Sequence, residues 1–287
     1  YALSVPVPAR ASNLYELDLR SASHTAAIPL AAAAPRPARL LVVLPSLTWQ
    51  GLNPGDQDGD GVPDTLLDGS AVPLGRPLAG EMPAGFGDEA MLLGFLNATH
   101  RAYNLTTDYS LMAGAGPSLS RYAAVLLAGT EEWVTSSFAS SLRGYVQSGG
   151  HVLSLGIGSL QRLVTFSGAR AVDPAPASGT DLLGARPGSV VSGNTQLIGV
   201  IEDGLGIFRG TSGLFRGLRA YEPILPVSPP ATSLSEAGVS AGAPSIVGYR
   251  LGSGAVVDIG VPGFASDLAH DLDARQLLTQ VLAVLTR

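Results

Sequence analysis

The 287-residue sequence contains no cysteine, and all 17 of its lysine-plus-arginine cations are arginine. Without cysteine there is no thiolate nucleophile, thiolate zinc site or disulfide. Without lysine there is no Schiff base, no catalytic ammonium and no phosphate-loop lysine. A cysteine-free chain suits either side of a membrane, so redox chemistry does not place it. No run of 18 apolar residues exists, so no membrane span is expected. The formal charge of −6 comes with no basic run, which speaks against nucleic acid and anionic membranes as partners. The chain opens at Tyr1 without a methionine or a signal peptide, as a mature or trimmed protein would.

What is present is apolar material. At 46% hydrophobic residues the chain can bury a large core. Leu14-Tyr15-Glu16-Leu17-Asp18-Leu19-Arg20 alternates with the period of a half-buried strand, and a turn at residues 21–24 leads to a second strand near residues 25–30. Residues 1–37 therefore read as a β-rich lead-in, its alanine- and proline-rich end a linker at residues 31–39. Residues 38–287 read as one α/β domain. Leu40-Leu41-Val42-Val43-Leu44, Ala123-Ala124-Val125-Leu126-Leu127 and His151-Val152-Leu153-Ser154-Leu155 are runs expected of buried parallel strands, with a shorter strand at residues 102–107. Helices are expected from Asp88 to about residue 100, over residues 136–147, and from about Asp271 to Leu285. Alternation of strand and helix predicts βαβ units. Residues 165–243, rich in glycine, proline and serine, read as an irregular insertion, and residues 245–260 as a hairpin.

The most distinctive segment is Asp56-Gln57-Asp58-Gly59-Asp60-Gly61-Val62-Pro63-Asp64. Asp56, Asp58, Asp60 and Asp64 fall at positions 1, 3, 5 and 9 of a calcium loop, with Gly61 at the sharp turn and the Val62 carbonyl as a further ligand. The pattern resembles the loops of EF-hands, dockerins and thrombospondin type 3 repeats. It departs from them at position 12, where Leu67 replaces the closing carboxylate, and Asp68 or a water is left to substitute. A solvated acidic turn is the alternative reading. Calcium is the expected cofactor, and a loop of moderate affinity fills permanently only where calcium is abundant, so an extracellular or cell-surface location is expected.

Four segments carry a family resemblance: Leu44-Pro45-Ser46-Leu47-Thr48-Trp49-Gln50, Ala128-Gly129-Thr130-Glu131-Glu132-Trp133, Arg143-Gly144-Tyr145-Val146-Gln147-Ser148-Gly149-Gly150, and Gly248-Tyr249-Arg250-Leu251-Gly252-Ser253-Gly254. Together they resemble the class I glutamine amidotransferase-like superfamily, and within it the large subunit of N,N-dimethylformamidase. The resemblance implies a flavodoxin-like parallel sheet with helices on both faces. True amidotransferases place a cysteine on the turn after the third strand; here Thr130 stands there, so glutamine hydrolysis is not carried over. Dimethylformamidase-like enzymes hold iron with tyrosine and glutamate, and their Thr-Trp-Gln motif continues to a tyrosine. Here it continues Gly51-Leu52-Asn53, and only Glu131 keeps an acidic residue at the corresponding turn.

Ligands of open α/β sheets bind beyond the carboxyl ends of the strands, near the switch point. That rule selects Thr48, Trp49, Thr130, Glu131, Glu132 and Trp133, then Gly158 and Ser159, then Phe264, Asp267 and His270. Glu222, in a segment resembling trehalose-utilisation-type domains, can join them from the insertion. Each has a plainer reading. The tryptophans can be packing anchors, Glu131 and Glu132 first-turn helix residues, and His270 the residue before a helix capped by Asp271. His24, His100 and His151 lack metal-ligand spacing. Two functions follow. One is a secreted calcium-binding module that has lost its nucleophile and binds a small molecule or other modules of the same protein. The other is a hydrolase of an amide or glycan-related substrate, with Glu131 or Glu222 and His270 as acid and base, with or without a metal, and Thr48, Trp49, Thr130 and Glu132 holding the ligand.

Overall fold

The computed structural model describes residues 12–22, 25–33, 37–80, 82–226, 233–240 and 242–287. Residues 23–24 of the expected first turn, His24 among them, and residues 34–36 of the expected linker lie outside these. Strands β1 (Asn13–Arg20) and β2 (Thr25–Ala32) pair as an antiparallel hairpin. Then come β3 (Leu40–Leu44), α1 (Ser46–Gly51), α2 (Phe86–Ala98), β4 (Asn104–Thr107), α3 (Asp108–Met112), β5 (Ala124–Leu127), α4 (Ser136–Gln147) and β6 (His151–Ser154). Strands β7 (Ile198–Asp203), β8 (Leu214–Phe215), β9 (Ser233–Gly238), β10 (Pro244–Leu251) and β11 (Gly254–Ile259) follow, then α5 (Phe264–Asp267) and α6 (Leu272–Leu285).

The fold is mixed α/β around a nine-stranded sheet of order β8-β7-β9-β10-β11-β6-β5-β3-β4. Its last five strands are parallel: β3 lies between β4 and β5, with Val43 beside Thr106 on one side and Leu127 on the other. In chain order those five are arranged 2-1-3-4-5, so the chain reverses its direction of travel between β3 and β5. The expected parallel sheet is only part of the whole, which the other four strands extend, and the hairpin expected over residues 245–260 forms. The tight β10–β11 hairpin turns the chain back on itself, and β9, β7 and β8 then extend the edge antiparallel. Residues 198–238 of the irregular stretch thus contribute strands to the main sheet.

β3 is covered on both faces, which explains why it reads as an unbroken apolar run. Leu40, Val42 and Leu44 pack with Leu92, Leu96, Leu277 and Val281 from α2 and α6. Leu41 and Val43 pack with Phe138, Leu142 and Val146 from α4. All five strand residues are fully buried, each stabilising by about 1.5–3 kcal/mol. α2 starts at Phe86 behind Gly85, a left-handed N-cap at φ 92°; Asp88, expected to cap it, lies in the first turn. Asp271 does cap α6, accepting from the amides of Asp273 and Ala274. Among the described residues no helix is long and apolar enough to cross a membrane.

Candidate functional site

A cavity of about 650 Å3 opens where β3 and β5 end. The segment after β3 brings Pro45, Thr48 and Trp49 to it, and the segment after β5 brings Ala128, Gly129, Thr130 and Glu132. The stretch after β6 adds residues 155–158, and Phe264 arrives from the turn after β11. These strands are parallel neighbours, so their following loops share one mouth. A groove of about 760 Å3 lies elsewhere, between α3 and α4 near Tyr122 and Gly149, which precede β5 and β6; no charged side chain lines it.

Trp49 is both anchor and wall: 5% exposed, it packs on Phe86 with ring centroids 6.2 Å apart and also lines the cavity. Thr48 Oγ1 accepts the Glu132 amide at 2.9 Å, tying the two loops together. Glu132 is held by Arg162 at 3.0 Å, and burial raises its pKa despite that cation. Thr130 spends its hydroxyl on the Ile157 carbonyl. Glu222, delivered by the segment before β9, lines the cavity and accepts the Gly158 amide at 3.0 Å; burial lifts its carboxyl to about 7.

Glu131 lies in a different place from its neighbours. It is fully buried, does not line the cavity, and neither carboxyl oxygen has a hydrogen-bond partner. Desolvation, with Asp108 and Glu89 nearby, pushes its pKa well above the ordinary range. Trp133 is buried in a satellite core with Leu47, Leu66 and Val72. His270 is 71% exposed, paired with Asp267 at 3.5 Å, and stands outside the cavity lining. The three residues expected to act as acid and base therefore do not converge. The physical reason is the extra turn α5: it carries Phe264 inward and spaces His270 out to the surface.

Two buried acids had no special mark in the sequence. Glu89, 2% exposed, lines the cavity with Oε2 unpartnered. Burial raises its carboxyl to about 8; the nearby Trp49 indole offsets this in part without reaching hydrogen-bond geometry, and Asp88 and Asp108 add to it. Gly129 makes room for it, since a Cβ there would overlap Glu89 Oε1. Asp108 reaches across from α3 to accept the Ser46 hydroxyl at 2.7 Å and the Leu47 amide at 3.0 Å, fixing the start of α1. Burial raises it to about 6 against those bonds. The helical pattern around Glu89 was the available signal, because position 89 falls on the buried face with Leu92, Leu93 and Leu96.

The acidic loop lies beyond α1. Asp56, Asp58 and Asp64 each bring a carboxylate oxygen within 4.8 Å of the others. Asp60 is outside that group, its Oδ1 accepting the Val62 amide, and Asp68 pairs with Thr65. Asp56 accepts the Gly59 and Gly61 amides, and these bonds lower its pKa. Gly61 has φ 88°, a conformation that costs glycine least. Buried Arg76 fastens the loop to the body, donating to the carbonyls of Gly55 (2.8 Å), Gln50 (3.2 Å), Asn53 (2.8 Å) and Asp64 (2.6 Å).

A family model described as N,N-dimethylformamidase beta subunit-like, C-terminal, matches residues 1–170. No curated protein matches the chain in sequence. Among solved structures, the β-galactosidase from Bacillus circulans sp. alkalophilus is similar at TM-score 0.55 and 14% identity, over 86% of this chain and 31% of that one. The β-galactosidase from Rahnella sp. R3 is similar at TM-score 0.53 and 15% identity, again over 86% and 31%. This chain thus spans less than a third of either, and at these identities the likeness is one of fold.

Proposed function

The chain belongs to the N,N-dimethylformamidase beta subunit-like, C-terminal family, and from that premise we propose that it is a binding module whose carboxyl-edge cavity takes a small ligand without turning it over. The observation that carries this is the dispersal of the acid–base groups: Glu131 sealed away from the cavity, Glu222 on its wall, His270 on the outer surface. A covalent mechanism needs a nucleophile beside a base. Thr130, at the turn where amidotransferases keep cysteine, is instead bonded to a carbonyl. The 2-1-3-4-5 order of the parallel strands supports a flavodoxin-like, amidotransferase-like scaffold. The iron of dimethylformamidase-like enzymes does not fit, because no tyrosine lines the cavity among the described residues and Leu52 stands on its rim. No step is routed through iron.

Titrating amide and glycoside probes by ligand-observed NMR should give binding at the cavity and no hydrolysis. Turnover of either probe, abolished in Glu222→Gln, would sink this reading and restore a hydrolase.

The same proposal includes a calcium ion at Asp56, Asp58 and Asp64, with Asp60 and the Val62 carbonyl as the further ligands of the loop, and a secreted setting. The converging carboxylates support the ion, since uncompensated they repel one another. At free calcium ~100-fold above its dissociation constant, such a site stabilises by roughly 2.7 kcal/mol. Melting with calcium should exceed melting with chelator by roughly 5–10 °C. Asp58→Ala should erase the difference; identical curves for the unaltered protein would dispose of the ion.

A further inference from the structure

Among the described residues the cavity is lined by four carboxyl groups, Asp88, Glu89, Glu132 and Glu222, against a single cation, Arg162. That cation is already taken, because its Nε lies 3.0 Å from Glu132. Glu222 has the Gly158 amide. Glu89 is left with a buried oxygen and no partner, and beside it the Trp49 indole N–H is also without one. The charged groups acting on Glu89 are all acidic: Asp88 on its own helix, Asp108 from α3 and Glu131 from the loop after β5. Space is kept for its carboxyl by Gly129, where any side chain would collide with it. A cavity with surplus carboxyls and an unpartnered one on its wall is complementary to positive charge.

We infer that this cavity takes a small organic cation, an alkylammonium, whose N–H donates to the Glu89 carboxyl while its carbon chain rests on the apolar wall around Trp49, Leu155 and Phe264. The inference rests on the cavity being a binding site and names its ligand class. Without ligand, burial keeps Glu89 protonated up to about pH 8. The ammonium replaces that proton, so binding releases a proton below pH 8 and none well above it. Affinity should climb about tenfold per pH unit from 6 toward 8 and then level off. A neutral sugar would instead meet Glu89 as a hydrogen-bond donor, with affinity flat below pH 8 and falling above it.

The test is calorimetric titration of the whole chain with n-butylammonium chloride, the uncharged alcohol 1-pentanol, and methyl β-galactoside, at pH 6, 7 and 8. Butylammonium should bind most tightly, show the pH slope, and release a proton detectable as a dependence on buffer ionisation enthalpy. In Glu89→Gln its affinity should fall at least about tenfold and the slope vanish. Glutamine matches the shape of the neutral acid, so this variant keeps the fold, and Glu222→Gln serves as a second probe of the same wall. Butylammonium binding indifferent to Glu89→Gln would overturn the inference. Binding of pentanol or galactoside alone would overturn it too while leaving the cavity's role intact. Failure of all three, with amides also silent, would remove the binding site itself.

Discussion

Glu89→Gln should melt on the order of 5–10 °C above the unaltered protein at pH 9, and close to it at pH 5. Glu89 has its folded-state pKa raised to about 8 by burial. A carboxyl with a raised folded-state pKa supports the fold fully below its unfolded pKa, near 4.5, and that support is lost as pH rises through about 8. At pH 9 the accumulated cost for this one group is on the order of several kcal/mol. Glutamine carries no such penalty. Asp108, raised to about 6, and Glu222, raised to about 7, act in the same direction, so the unaltered protein should lose stability steadily between pH 5 and 8. Melting curves followed by circular dichroism at pH 5, 7 and 9 check both statements. A variant that melts lower at pH 9 would mean that Glu89 is ionised and paired in the folded protein.

Arg76→Ala should cost about 2–4 kcal/mol, roughly 5–10 °C in melting temperature, although the hydrogen bonds of Arg76 lie outside the apolar core around β3. Its guanidinium satisfies the carbonyls of Gln50, Asn53, Gly55 and Asp64; without it the Gln50 and Gly55 carbonyls keep the amides of Asn53 and Asp64, while the Asn53 and Asp64 carbonyls lose their donor. Two of the acceptors, Gly55 and Asp64, bracket the aspartate loop, while Gln50 lies in the last turn of the short helix that carries Thr48 and Trp49. Loss of Arg76 should therefore abolish the stabilisation by calcium as well. Arg76→Lys should recover only a small part, because one ammonium cannot span four carbonyls arranged for a planar fork. A loss below about 1 kcal/mol would show that the loop is held by something else.

These two residues also show where the sequence stops being legible. β3, β5 and β6 are readable because strands covered on both faces carry unbroken apolar runs. The rule that loops after neighbouring parallel strands share a mouth was enough to select Thr48, Trp49, Thr130, Glu132 and Phe264, all of which line the cavity. Glu89 was hidden because an acid in the first turn of a helix ordinarily faces water, and here its burial depends on Gly129, forty residues away. Arg76 sits in a glycine- and proline-rich stretch where nothing local marks a buried cation; its partners are defined only once the acidic loop folds back. His270 is selected because its segment follows the last strand, and the four-residue helix that starts at Phe264 sends it elsewhere. Of the antiparallel part of the sheet the hairpin over residues 245–260 is legible, and the shorter outer strands are less so, for a related reason. Ile198–Asp203, Leu214–Phe215 and Ser233–Gly238 are short strands, and they reach the main sheet through the pairing of the last of them with β10.

The central claim is that the carboxyl-edge cavity is where this protein meets its ligand, and the two tryptophans allow it to be tested directly. Trp49 lines the cavity, whereas Trp133 is sealed in a separate cluster. Their indole N–H groups should give two signals in a 15N-correlated spectrum, assignable from Trp133→Phe. Titration with butylammonium and with the amide and glycoside probes should shift the Trp49 signal in proportion to occupancy and leave the Trp133 signal in place. A ligand that binds while leaving the Trp49 signal unmoved would contradict the account.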